Sequence, residues 1–155
     1  MRRFNLTNAD PQYDDGDPEG YRAGRDRLGP RLGATQLGAS VYELPTGQSI
    51  CPYHYEYPEE EWLLVLSGRV GVRTPEGEEE LGPMEVVAFQ LGPEGAHKVT
   101  NRAEETARVV MFSTMPQVSV AFYPDSGKML ANTGNRDDRL MVRRESAVDY
   151  YDGEV

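Results

Sequence analysis

From Gly38 onward the sequence is a succession of short runs rich in β-branched and aromatic residues, each cut off by "PTGQ", "SG", "PEGE", "LGP", "GPEG" or "NRAEE". Those clusters supply turn chemistry at close intervals, and no helical apolar period competes with them. In "ARVVMFST" the side chains of Ala107, Val109, Met111 and Ser113 alternate with those of Arg108, Val110, Phe112 and Thr114, the period of a half-buried strand. Short antiparallel strands with no helices to cover them must close on themselves or stack as two sheets, because open edges invite aggregation. The expected fold is all-β, a small barrel or jelly roll.

A chain of 155 residues can bury one real core, and no second block of composition calls for another domain. Residues 8 to 31 are rich in Asp, Gly, Pro and Arg without a sustained apolar period, so residues 1–31 are expected to form an irregular N-terminal arm. Residues 32–130 would form the barrel, and 131–155 a short strand and an acidic tail. Sixteen Lys and Arg against 26 Asp and Glu give a net charge of −10, which repels phosphate backbones and anionic lipid, so neither nucleic acid nor membrane is an expected partner. The start "MRRFNLTNAD" is not followed by an apolar segment, and no run approaches the length of a membrane span; the expected location is the cytoplasm. The single cysteine, Cys51, rules out an internal disulfide and reads as a small buried hydrophobe.

The chemistry concentrates around "CPYHYEYPEEEW", residues 51–62, and "GPEGAHKVTN", residues 92–101. The chain has two histidines, His54 and His97, each in a strand-like segment beside a turn cluster. In an extended strand His54 and Glu56 share one face, while Tyr53, Tyr55 and Tyr57 occupy the other. "PEE" can turn the chain so that "EWLLVLSG" returns as a hairpin, bringing Glu61, Leu63 and Val65 to the same inner face. His97, Val99 and Asn101 share a face in the second segment. Charge on an inner face is costly without a partner, and a cation among His54, Glu56, Glu61 and His97 would supply one. Glu59 and Glu60 fall in the turn and are expected to be solvated. The tyrosines and Trp62 are expected to pack outside against the arm or another subunit.

These segments resemble the two sequence motifs of the cupins. Gly47, six residues, His54, one residue, Glu56, four residues, Glu61, six residues and Gly68 follow the first motif closely from the histidine on. Gly82, Gly92, His97 and Asn101 look like the counterparts of the second, whose final His-x-x-x-Asn is intact. The resemblance covers about residues 38 to 123, and two linked motifs are far more specific than either alone. Glu56 stands where the first motif has its second histidine, Gln90 stands where the second has its proline, and extra residues precede both His54 and His97.

The resemblance implies a double-stranded β-helix, a divalent ion held by His54, Glu56, Glu61 and His97, and a homodimer. Two neutral imidazoles and two carboxylates would make a neutral site for Zn²⁺, Mn²⁺, Fe²⁺ or Ni²⁺. The second carboxylate lowers the ion's Lewis acidity, which disfavours simple hydrolysis, and if the ion is iron it also lowers the reduction potential, favouring oxygen chemistry. The function the resemblance implies is a metal-dependent enzyme of dioxygenase, isomerase or decarboxylase type acting on a small polar chelating molecule. Glu56 is alternatively a catalytic acid or base with a raised pKa. A non-catalytic metal or small-ligand barrel, serving as sensor or store, is the competing function, and a metal-free structural barrel the third.

Overall fold

Each turn cluster of the sequence ends a strand, and the resulting ribbons are all paired antiparallel. The computed structural model describes residues 1–154; residue 155, the last of the expected acidic tail, lies outside the described residues. The strands are β1 (Gly24–Arg27), β2 (Leu37–Leu44), β3 (Tyr55–Tyr57), β4 (Glu61–Ser67), β5 (Val70–Thr74), β6 (Gly77–Leu81), β7 (Val86–Phe89), β8 (Lys98–Thr100), β9 (Ala107–Thr114), β10 (Ser119–Tyr123), β11 (Lys128–Asn132) and β12 (Leu140–Arg143), with one short helix, α1 (Gly29–Leu32). Among the described residues no helix is long and apolar enough to cross a membrane.

A five-stranded sheet runs β1-β2-β9-β4-β7, a four-stranded one β12-β11-β10-β3, and a three-stranded one β6-β5-β8. Bridges between Ser49 and Thr100 and between His54 and His97 stitch the last two together along the segment that leads into β3. The inward residues Leu44, Leu63, Val65, Val99, Val109 and Met111 form the main core, as the period-2 pattern requires. The buried side-chain amide of Asn101 closes one end, donating at 2.8 Å to the carbonyls of both Leu44 and Glu105. Asn101 is thus the hydrogen-bond anchor of the second motif. Gly68 has φ 72° and packs so closely on Ala107 that a Cβ would collide with that residue's backbone, which explains the glycine ending the first motif.

Four expectations need correction. The arm is not irregular throughout: β1 pairs with β2, and Gln12 bridges Arg25, because "GRDR" hides a two-residue alternation inside loop-like composition. Phe4, Leu6, Ala9 and Leu28 of the arm, with Leu32 just beyond it, cover Val41 and Val110 on the outer face of the five-stranded sheet. That cover is why Val110, on the polar phase of "ARVVMFST", is fully buried. The expected hairpin of β3 with β4 does not form. β3 pairs with β10 and β4 with β7 and β9, so Pro58–Glu60 carries the chain from one sheet to another. Nor does the arm cover Trp62, which stays 49% exposed and donates its indole N–H to Glu60 at 2.8 Å. The boundary expected at residues 130/131 falls inside β11, which runs to Asn132.

Leu63 is fully buried in the main core, whereas Leu37 at the start of β2 is exposed. Leu63→Ala is expected to cost about 2–5 kcal/mol in urea unfolding, and Leu37→Ala no more than about 0.5 kcal/mol. Equal losses would show that the core is not where the burial places it.

Candidate metal centre

Two backbone carbonyls aim the two imidazoles. His54 Nδ1 lies 3.0 Å from the Pro52 oxygen and His97 Nδ1 lies 2.9 Å from the Gly95 oxygen. A carbonyl oxygen only accepts, so each Nδ1 carries a proton, and in the neutral ring each Nε2 then presents a lone pair. Both Nε2 atoms approach one carboxylate: Glu61 Oε2 is 3.8 Å from that of His54 and 3.3 Å from that of His97. His97 is 2% exposed, and its buried Nε2 has no hydrogen-bond partner among the described residues.

The local sequence builds this arrangement. Pro93–Gly95 forms a single 3₁₀ turn before His97, and a Cβ on Gly95 would collide with the Gln90 backbone. The turn residue that orients His97 is therefore Gly95 of "PEG", not Gly92, whose N–H donates to the Glu56 carbonyl at 3.0 Å. Phe89 stands opposite Glu61 in the β4–β7 register and stacks on the His97 ring at 3.6 Å. Tyr123 at the end of β10 stacks on His54 at 5.9 Å. Nothing in the sequence singled out either aromatic ring. Cys51 Sγ lies 3.5 Å from His54 Nδ1, on the ring atom directed away from Glu61. Burial pushes its thiol pKa up, helped by the charges of Glu61 and Glu56, so it stays a neutral thiol.

His54, Glu61 and His97 offer ligand atoms that all lie within 4.8 Å of one another. Glu56 Oε1 is 3.9 Å from His54 Nε2, but its carboxylate groups with Glu59 and Glu61 instead, again within 4.8 Å. Glu61 belongs to both groups. Glu59, expected to be solvated, is partly buried because the crossover from β3 to β4 folds it inward; Glu60 is exposed as expected. Burial, then the charges of Glu59 and Glu61, push the Glu56 pKa up to about 8. Burial also raises Glu59, while Glu56 and Ser113 beside it favour its ionised form. Burial lowers His54, as does His97, keeping the imidazole neutral; the Glu61 charge opposes this.

The donor set fits a divalent cation. Two lone pairs and a carboxylate oxygen face one another with no proton donor between them, which is unfavourable unless a positive charge joins them. Ligands at about 2.1 Å from one ion are separated by about 3.0 Å when octahedral neighbours and about 3.4 Å when tetrahedral ones. The observed 3.3 and 3.8 Å need only small side-chain adjustments.

No protein-family model matches the sequence, and no curated protein aligns with it. Solved structures do. A protein provisionally assigned as a sugar phosphate isomerase, from Acidithiobacillus ferrooxidans, superposes with TM-score 0.81 at 22% identity over 93% of this chain and 91% of its own. A sugar phosphate isomerase of the cupin superfamily from Silicibacter pomeroyi gives 0.80 at 21%, over 97% and 98%. The polyketide cyclase RemF from Streptomyces resistomycificus gives 0.60 at 23%, over 74% and 79%. The fold is the double-stranded β-helix of the cupins.

Protein prepared without chelator is expected to carry close to one divalent ion per chain by elemental analysis, and His97→Ala to lose it while its far-ultraviolet circular dichroism is unchanged. A wild-type protein that takes up no Zn²⁺, Mn²⁺, Fe²⁺ or Ni²⁺ on reconstitution would refute the centre. Gly95→Ala, which displaces the carbonyl holding His97, is expected to weaken metal affinity by about 10–100-fold, the usual effect of disturbing a ligand's hydrogen-bond partner.

Proposed function

We propose that the chain is a metal-dependent enzyme of isomerase type, moving a proton on a small, polar, oxygen-rich molecule. The observation that carries this is the double membership of Glu61: it shares one cluster with His54 and His97 and another with Glu56 and Glu59. The first group would hold a divalent ion, with neutral imidazoles and one carboxylate leaving positions free for substrate oxygens. The second leaves two carboxylates beside it that are free to exchange protons.

When bound, the ion would polarise a carbonyl and favour loss of a proton from the adjacent carbon. Two carboxylates next to Glu61 cannot both be ionised cheaply, so one holds a proton and the other accepts one. Glu56 takes the acid role, and Glu59 is the base, since the Glu56 hydroxyl and Ser113 stabilise its ionised form. Glu59 would remove a proton from the carbon beside the carbonyl while Glu56 protonates the carbonyl oxygen; Glu59 then returns its proton to the former carbonyl carbon as Glu56 takes back the proton of the neighbouring hydroxyl. Phe89 and Tyr123 hold the imidazoles against reorientation during this exchange. The sugar phosphate isomerases among the structural neighbours support the reaction class.

Metal-loaded protein incubated in D₂O with short aldoses and ketoses is expected to exchange carbon-bound hydrogen, followed by proton NMR. Glu59→Gln should reduce the rate by about 10²–10⁴-fold while metal content stays at the wild-type level. Absence of exchange with wild type, together with ligand-induced thermal shifts, would instead establish a binding barrel.

A further inference from the structure

The positive charge of this acidic protein is unevenly placed. Arg22, Arg31, Arg69, Arg73, Arg102 and Arg108 are each in an ion pair. Arg25, Arg27, Arg136 and Arg139 are in none among the described residues, yet all four line a single cavity of about 640 Å³ whose wall also includes Glu59 and Glu61. Lack of an ion pair is ordinary for arginine at a chain end, as for Arg2 and Arg3. Convergence of four on the cavity beside a candidate metal centre is not.

Strand register fixes two of them. Arg25 lies opposite Tyr42 and Arg27 opposite Ser40 in the β1–β2 pair. Ser40 lies opposite Met111, and Met111 opposite Leu63, so Arg27 shares the inner face of the five-stranded sheet with Leu63 and with Glu61 two residues before it. Asp26 points to the other face, where it pairs with Arg31 at 2.9 Å and cannot neutralise its neighbours' cavity-facing charge. Arg136 and Arg139 come from the opposite wall, in and just after the 3₁₀ turn that follows β11. Asn135 engages the Asp138 carboxylate of that turn at 2.9 Å. Arg139 is also close enough to Tyr123, the ring stacked on His54, for its charge to act on the phenol.

Four guanidinium groups from two walls are more than a carboxylate uses, since one planar fork satisfies both of its oxygens. A phosphomonoester carries close to two negative charges at neutral pH and three free oxygens, and can accept several forks at once. A chain of net charge −10 repels such an ion on average, so local arginines are needed to admit it. We propose that Arg25, Arg27, Arg136 and Arg139 form a phosphate subsite, so that the substrate is a phosphomonoester spanning from the arginine pair on each wall to the Glu61 cluster. The substrate assignment rests on the enzymatic reading above; the anion site does not.

Isothermal titration of the full-length protein with inorganic phosphate tests it, with acetate at matched ionic strength as the carboxylate arm. Wild type is expected to bind phosphate, acetate at least about tenfold more weakly, and the Arg27→Gln/Arg139→Gln double variant to lose at least about tenfold in phosphate affinity. All four arginines are exposed, so the double variant should keep the wild-type thermal midpoint. The metal-free His97→Ala variant should retain phosphate binding, which supports the subsite even if the enzyme reading fails. No phosphate binding by wild type, undiminished binding by the double variant, equal binding of acetate, or loss of phosphate binding in His97→Ala would each overturn the proposal.

Discussion

The site depends on a shortage of protons. Two backbone carbonyls claim the Nδ1 hydrogens of His54 and His97, so both imidazoles turn bare lone pairs toward a carboxylate that is itself only an acceptor. In a buried setting three acceptors without a donor repel one another, and a cation at their common focus would relieve that repulsion. The backbone carries the orienting groups, so the geometry belongs to the scaffold more than to mobile side chains.

That scaffold is three antiparallel sheets, two of them joined by the Ser49–Thr100 and His54–His97 bridges. The His54–His97 bridge ties β3 to β8, the β4–β7 pair sets Phe89 opposite Glu61, and β10 delivers Tyr123 over His54. Glu56 and Glu61 meet because a short crossover changes sheets between them, not because they share a hairpin. The same crossover turns Glu59 inward, adding a third carboxylate beside Glu56 and Glu61. The strand β1 and the turn after β11 contribute arginines to the cavity that Glu59 and Glu61 also line, from the two parts of the chain outside the barrel motifs.

Much of this is legible in the chain. Alternation in "ARVVMFST" fixes which residues enter the core, and parity alone puts His54 with Glu56 and His97 with Asn101 on inner faces. Motif spacing adds Glu61 and the fold. Long-range pairing is what parity cannot supply. Glu59 sits beside a proline in a run of glutamates and looks solvated, since nothing local tells that the turn crosses between sheets. Phe89 and Tyr123 are ordinary strand aromatics until register sets them against the imidazoles. Arg25 and Arg27 carry a faint signal in their two-residue spacing, masked by the Gly, Pro and Asp around them.

In the proposed centre, nitrogen from His54 and His97 and oxygen from Glu61 would surround one ion. X-ray absorption fine structure of the metal-loaded protein examines that shell directly. It should show two imidazoles with oxygen at about 2.0–2.2 Å and no sulfur. A sulfur scatterer at about 2.3 Å, which would place Cys51 on the metal, or a shell of oxygen alone, would contradict it.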